Sequence, residues 1–356
     1  MKRERIFAIE SSCDESAAAV FDSGRGVVSS FVHTQIDLHA LYGGVVPDLA
    51  STEHLKKLPL VLRAALSADG FDPSSIDRIA ATSGPGLANC LAIGVSAASA
   101  LSIALSRPLC GANHLRGHAY SPFISVHAEN PDAFADRFRS ELLPHLGLLV
   151  SGGNSILFEI SADGKMGMVC ETLDDAAGEA LDKGAKLLGM PYPGGPLLEK
   201  AALGGDVRRF PFPKGAARKP EDDPDFSFSG LKTSLRYFLE RRGGAGGDLR
   251  DICASYQHAV VEQLRKRCEY FLSKKQFKSF GLSGGVANNA GLRAALERSA
   301  RRAGAMFLPA ERKYCGDNAA MIAFAAWIDP DSCAQPAGGS LAIEPSRPLC
   351  PPSSGL

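Results

Sequence analysis

Apolar residues come in short blocks at the start of the chain. Arg5 to Glu10, Ser16 to Asp22 and Gly26 to His33 read as three strands, joined by the turns Ser11-Ser12-Cys13-Asp14-Glu15 and Asp22-Ser23-Gly24-Arg25. Connections this short predict a meander. From Pro47 to Ala68 apolar positions recur at helical spacing, and Gly70 and Pro73 stop the pattern. Ile76 to Thr82 is then a strand running into Ser83-Gly84-Pro85-Gly86 and a helix. Residues 79 to 106 carry no charge, yet Gly94-Val-Ser-Ala-Ala-Ser-Ala100 is small rather than greasy. A strand, a glycine turn and a closely packed helix fit that stretch better than a transmembrane span.

The second half repeats this grammar. Leu146 to Ser151 is a strand, Gly152-Gly153 a turn and Ser155 to Ile160 the returning strand; Phe277 to Leu282 is a strand ending in Ser283-Gly284-Gly285 before a helix from Asn289. The two copies keep the same order at offsets of roughly 140 and 200 residues, separated by a large insertion. A duplicated mixed sheet with glycine turns at strand ends predicts an α/β fold of two similar lobes with a central cleft. It resembles the actin-like and heat-shock-ATPase-like superfamily, a duplicated ribonuclease-H-like architecture. The expected N-lobe is 1–125 plus about 310–345 and the C-lobe 126–309, with a flexible tail at 346–356. Residues 211–225 form a charged, proline-rich loop, and Arg241-Arg-Gly-Gly-Ala-Gly-Gly247 a linker.

Composition narrows the class. The chain has 356 residues, with 39 Lys+Arg against 39 Asp+Glu, so no global charge points to a partner. Glycine, at 37 residues, is the outlier, and it collects in loop-like clusters where backbone turns sharply or approaches something closely. Nine cysteines without a C-x-x-C argue against a disulfide framework or zinc ribbon, and only four apolar residues separate Arg5 from Glu10, too few for a secretory signal. A cytoplasmic protein with no membrane partner is expected.

His114-Leu-Arg-Gly-His118 puts two imidazoles at i and i+4 on one face of a helical turn, as two metal ligands require. A glutamate does not follow the first histidine, so the metalloprotease pattern is missing. Asp317, at the entry to the apolar run Ala319 to Ile328, is a candidate third ligand; the other reading is a plain helix cap. The turns at Ser151-Gly152-Gly153, Pro193-Gly194-Gly195 and Ser283-Gly284-Gly285 offer backbone N–H groups to phosphate oxygens, although no P-loop is present. Glu10-Ser-Ser-Cys-Asp14-Glu15 places adjacent carboxylates at a strand end. Asp175, Glu179, Asp182 and Lys186 fall at helical spacing, as if lining one edge of a cleft.

Taken in order, Ile9-Glu-Ser-Ser-Cys-Asp-Glu-Ser16, His39-Ala-Leu-Tyr-Gly-Gly-Val-Val-Pro-Asp-Leu-Ala-Ser51, Ser83-Gly-Pro-Gly-Leu87, Asn113-His-Leu-Arg-Gly-His118, Leu149-Val-Ser-Gly-Gly153, Asp174-Asp-Ala-Ala-Gly-Glu179, Tyr192-Pro-Gly-Gly-Pro196, Phe226-Ser-Phe-Ser-Gly-Leu-Lys-Thr233, Ser283-Gly-Gly-Val286 and Asp317-Asn-Ala-Ala-Met-Ile322 resemble the full motif set of the tRNA threonylcarbamoyladenosine transferase family. The resemblance covers about residues 5 to 325. It implies transfer of a threonylcarbamoyl group from threonylcarbamoyl-AMP to the N6 amine of the adenosine 3′ of the anticodon, in tRNAs reading codons that begin with A. It also implies one divalent metal per subunit, Fe2+ or Zn2+, on His114, His118 and Asp317. By the same likeness Leu149, Val150, Ser151, Gly152, Gly153, Asp182, Gly195 and Asn289 match positions that hold the adenylate, and an adenine nucleotide is a further occupant. Implied partners are tRNA, a shorter inactive paralogue, a small ATPase and the enzyme that makes threonylcarbamoyl-AMP. Asp14 or Glu15 is the expected proton acceptor.

The chain departs from the family pattern in places. Asn154-Ser155 replaces His-Thr, Asn288-Asn289-Ala290 replaces Ala-Asn-Arg, Asp48 replaces Glu, and Arg116 stands where an acid is common. The lobed architecture alone would equally suit a nucleotide-dependent ATPase or kinase, which has no need of the histidine pair. Charge by segment favours a nucleic-acid partner: residues 200 to 313 hold 23 Lys+Arg against 12 Asp+Glu. That makes the C-lobe the expected tRNA-facing side, with Arg208, Arg209, Lys214, Arg218 and Lys219 on a loop at 208–225.

Overall fold

In a computed structural model, residues 3–68, 71–214 and 225–350 are described. The chain forms two compact units, Met1–Arg137 with Ala310–Leu356, and Phe138–Pro309. In the first, strands β1 (Arg5–Glu10), β2 (Glu15–Asp22), β3 (Gly26–Thr34), β4 (Arg78–Gly84) and β5 (Leu109–Asn113) form one sheet in the order β3-β2-β1-β4-β5. The β1–β2 and β2–β3 pairs are antiparallel, and β1–β4 and β4–β5 parallel. The central strand is apolar on both faces because both are covered: Ile6, Phe7, Ala8 and Ile9 are fully buried.

Helices α1 (Ile36–Ala40), α2 (Pro47–Leu66), α3 (Ala88–Leu105), α4 (His114–Tyr120), α5 (Phe123–Glu129) and α6 (Phe134–Arg137) complete the N-terminal segment. Phe7, Ile9 and Val20 pack with Leu58 of α2 and Val95 of α3, which places the uncharged α3 on the sheet. The first unit extends past the expected break at 125. Phe134 is fully buried and meets Phe324 and Trp327 at 5.9 and 5.8 Å between ring centroids, which binds α6 into the first unit.

The second unit repeats the plan with β6 (His145–Val150), β7 (Ser155–Ile160), β8 (Met166–Glu171), β9 (Ser279–Ser283) and β10 (Met306–Pro309), ordered β10-β9-β6-β7-β8. From the other edge, β8-β7-β6-β9-β10 reproduces the first sheet in order and in strand directions. Its helices are α7 (Ala177–Leu187), α8 (Gly194–Ala201), α9 (Ser229–Arg242), α10 (Leu249–Lys274) and α11 (Ala290–Ala303).

The chain then returns to the first unit as α12 (Ala319–Ile328), whose Phe324 meets Phe21 of β2 edge to face at 5.5 Å. Where a flexible tail is expected from 346, residues 347–349 instead strap the ends of β4 and β5. Arg347 donates to Ser83 Oγ at 3.0 Å and to the carbonyls of Gly111 and Ser332; Asn113 Nδ2 donates to the Pro348 carbonyl at 2.7 Å. Leu349 is buried. Carbonyls of this proline-containing segment satisfy donors at the strand ends that would otherwise lack partners.

Candidate functional site

Asn113, the last residue of β5, starts α4 by capping it: its Oδ1 accepts the N–H groups of Leu115 at 2.8 Å and Arg116 at 3.2 Å. His114 and His118 then lie one turn apart, with rings edge to face and centroids 4.8 Å apart. Asn318, rather than Asp317, caps α12, accepting the Met321 N–H at 3.0 Å. The Asp317 carboxylate is thereby released toward the histidines, with Oδ1 3.0 Å from His118 Nε2 and 3.5 Å from His114 Nε2. Between the two histidines, Gly117 lets α4 approach α12; a Cβ there would stand 2.9 Å from Ile322 Cδ1.

The three donor atoms lie within 4.8 Å of one another. Ligands about 2.1 Å from a shared ion stand roughly 3–3.5 Å apart, so the two distances to Asp317 fit a common ion. Two imidazoles and one carboxylate, with positions left open, are a donor set for a first-row divalent metal.

Sequence reasoning placed Glu10 in a motif but gave it no role. It is fully buried at the end of β1 and its Oε2 faces His114 Nδ1 at 3.0 Å. Burial raises its carboxyl, and the charge and hydrogen bond of His114 outweigh that, leaving it below the ordinary range. Burial works against a charged His114, but Asp317 and Glu10 flank the ring and raise it to about 9. Asp317 is likewise opposed by burial and brought down to about 2 by His114 and His118.

The Asp14 and Glu15 turn is held by buried polar groups. His54 Nε2 reaches the Cys13 carbonyl at 2.9 Å, and the Gln35 N–H donates to the Asp14 carbonyl at 3.0 Å. Glu15 accepts from Thr34 Oγ1 at 3.1 Å. Burial, then Asp317 and Asp14, push the Glu15 carboxyl up to about 10. A carboxyl raised that far favours its neutral form at pH 7.

In the second unit, Leu149 and Val150 end β6, and Leu149 pairs with Ser283 of the parallel β9, so the turns at 151–153 and 283–285 share one end of the sheet. Gly284 has φ +85°, and a Cβ there would stand 2.3 Å from the Val150 carbonyl oxygen, so the two turns touch through backbone. Ser151 N–H closes its turn on the Asn154 carbonyl at 2.8 Å, while Gly152 and Gly153 face open space. Asp182 of α7 accepts the Gly195 N–H at 2.8 Å. Asn289 sits beside these groups with its amide engaged, capping α11 through Leu292 N–H at 2.9 Å and donating to Gln257 at 3.1 Å.

The acidic row on α7 does not form as expected. Asp175 precedes the helix and pairs with Lys183 at 2.7 Å, which also pairs with Glu179 at 2.8 Å, so only Asp182 joins the glycine turns. The backbone N–H of Ala290 donates to Glu199 at 2.7 Å. Arg116 forms an ion pair with Asp329 and donates to the Leu349 carbonyl at 3.0 Å, serving the strap.

Of the basic loop residues, Arg218 and Lys219 lie outside the described residues. Arg209 is held by Asp248 and Asp251 at 2.8 and 2.9 Å, a structural use. Arg208 and Lys214 are exposed and, among the described residues, form no ion pair. Their field is felt locally: burial, then Lys214, with Arg265 and Arg208, holds His258 below its ordinary value.

The model of the family described as tRNA N6-adenosine threonylcarbamoyltransferase matches residues 26–324. A curated relative of that name from Anaeromyxobacter sp. (strain Fw109-5) is 47% identical over 324 residues, 90% of this chain and 93% of the relative. Another, from Dichelobacter nodosus (strain VCS1703A), is 44% identical over 322 residues, 90% of each chain. Among solved structures, HypF of T. kodakarensis matches with TM-score 0.58 at 14% identity, over 92% of this chain and 48% of that one. The (R)-2-hydroxyglutaryl-CoA dehydratase component A of Acidaminococcus fermentans matches with TM-score 0.50 at 13% identity, over 91% and 96%. At those identities the likeness concerns the fold alone.

Proposed function

The chain belongs to the tRNA N6-adenosine threonylcarbamoyltransferase family and forms threonylcarbamoyladenosine in tRNA; from that premise we propose that its donor is threonylcarbamoyl-AMP and that the transfer depends on one divalent ion, iron or zinc, held by His114, His118 and Asp317. The acceptor is the adenosine 3′ of the anticodon in tRNAs reading codons that begin with A. The observation that carries the metal reading is the Asp317 carboxylate within 3.0 and 3.5 Å of two imidazole Nε2 atoms. A divalent ion bound there supplies Lewis acidity and a template for oxygen ligands.

The rest of the work belongs to the protein. An exocyclic aromatic amine is a weak nucleophile and the mixed anhydride is an activated acyl donor, so the task is positioning and charge stabilisation. Backbone N–H groups of the turns at 151–153 and 283–285 hold adenylate oxygens. Asp182, fixed by Gly195, accepts from a hydroxyl of the adenylate. The N6 nitrogen attacks the carbamoyl carbon, the bond from that carbon to the phosphate oxygen breaks, AMP leaves, and Asp14 takes the proton lost from N6.

Exposed Leu55 and Leu60 on α2 and Ile103 on α3 support docking of the shorter paralogue there. The small ATPase and the enzyme that makes threonylcarbamoyl-AMP complete the cytoplasmic system. The test incubates the purified protein and these partners with threonylcarbamoyl-AMP and unmodified tRNA, followed by mass spectrometry of the nucleosides. Replacing both His114 and His118 by Ala is expected to remove metal and transfer together; near-normal transfer by that variant overturns the metal reading.

A further inference from the structure

We propose that Glu10 is a positioning residue for the metal centre: its buried carboxylate keeps a proton on Nδ1 of His114, so that the Nε2 lone pair is presented to the ion, while His118 has no such support. This rests on the reading that His114, His118 and Asp317 hold a divalent ion.

Three neighbouring strand ends build the arrangement. Glu10 closes β1, Thr82 lies near the end of β4, and His114 follows β5, and these strands are adjacent and parallel in the sheet. Glu10 Oε1 accepts the Ser12 N–H at 2.5 Å, and Oε2 accepts the Thr82 hydroxyl at 2.5 Å while facing His114 Nδ1 at 3.0 Å. Ser12 Oγ lies 3.1 Å from the same nitrogen. The serine hydroxyl can donate or accept, whereas an ionised carboxylate only accepts. A lone pair on Nδ1 opposite that oxygen would be repelled, so the proton sits on Nδ1 and the other nitrogen is left for the metal. Because the Glu10 carboxylate is itself fixed by two donors, it sets the rotation of the ring as well as its tautomer.

The second histidine differs. His118 is buried, its Nε2 faces Asp317, and its Nδ1 has no hydrogen-bond partner among the described residues. On its Nδ1 side the ring is held by packing alone. The two imidazoles are therefore unequal ligands, with His114 the anchored one.

The experiment compares the full-length wild type with Glu10→Gln and Thr82→Val, using Zn2+ as the probe. Dissociation constants come from chelator competition. The 15N-histidine spectrum of the zinc-loaded protein reports which ring nitrogen of His114 is protonated and how fast that proton exchanges. Expected are a roughly 10- to 100-fold weaker Zn2+ affinity for Glu10→Gln, loss of the slowly exchanging Nδ1–H, and a smaller change in the same direction for Thr82→Val. A merely structural role would lower the unfolding temperature and leave that resonance in place. If both variants bind Zn2+ like wild type with the Nδ1–H intact, Glu10 has no positioning role and the metal reading stands. If the wild type binds Zn2+ no better than the variant lacking both histidines, the metal reading fails and the inference falls with it.

Discussion

Gly195 donates its backbone N–H to Oδ1 of Asp182 at 2.8 Å, tying the first turn of α8 to the side of α7. Burial pushes the Asp182 carboxyl up, and the N–H groups of Gly195 and Gly194 pull against it. Asp182→Ala removes both the acceptor for Gly195 and the group proposed to face the adenylate, and is expected to raise the KM for threonylcarbamoyl-AMP roughly 10- to 100-fold, the range for a hydrogen bond to a charged group. Asp182→Asn keeps an acceptor for Gly195 and should lose less. Equal losses in the two variants, measured by steady-state kinetics, would mean that charge rather than position matters here.

Gly117 sets the distance between α4 and α12. Gly117→Val drives two methyls toward Ile322 and Met321, an overpacking that costs about 1–3 kcal/mol and separates His118 from Asp317. Metal analysis of the purified variant should show lower occupancy while circular dichroism stays native. Full occupancy would mean that the helices adjust without disturbing the ligands.

His114 and Asp317 also set a pH dependence in the metal-free protein. The folded value of His114, about 9, lies above its ordinary 6.5. Its stabilisation is therefore complete below about 6.5 and lost as pH rises through 9. Asp317, brought down to about 2 from 3.8, contributes above 3.8 and loses that contribution as pH falls through 2. Thermal unfolding of the metal-free protein should drop by a few degrees between pH 6.5 and 9. Zn2+ affinity should climb by up to tenfold per pH unit below about 9 and level off above it, because the ion displaces the Nε2 proton. His114→Ala should flatten both profiles.

Seven of the ten strands were legible as short apolar blocks between turn signals, since a strand covered on both faces reads as a continuous apolar run, as Ile6 to Ile9 do, whereas β5, β8 and β10 went unread. The i, i+4 histidines were legible for a similar reason: helical spacing is local. What the spacing left open was Asp317, because capping α12 and ligating a metal ask for the same residue type; only the Asn318 side chain on Met321 decides between them. Glu10 was hidden because its partners, Thr82 and His114, lie 72 and 104 residues away. The strap at 347–349 was misread as a tail because prolines and carbonyls carry no periodicity, although they pair well with donors at strand ends.

On the second unit, Arg208→Glu with Lys214→Glu should weaken tRNA binding and reduce the slope of log K against log salt by roughly one for each phosphate that is no longer neutralised. Arg209→Glu is the contrasting variant, expected to lower stability through Asp248 and Asp251. Filter binding across a salt series reads the first effect, and an unchanged slope would move the tRNA surface elsewhere.

The three candidate ligands come from both sides of an insertion: His114 and His118 precede the whole second unit, and Asp317 follows it. During synthesis the ribosome delivers two ligands first, then about 170 residues that form a body of their own, and only afterwards the third. A nascent chain halted anywhere between residues 118 and 317 carries an incomplete centre. On the proposed metal reading, loading is thereby a late event in the life of the chain, and metal content reports that both segments of the first unit have met.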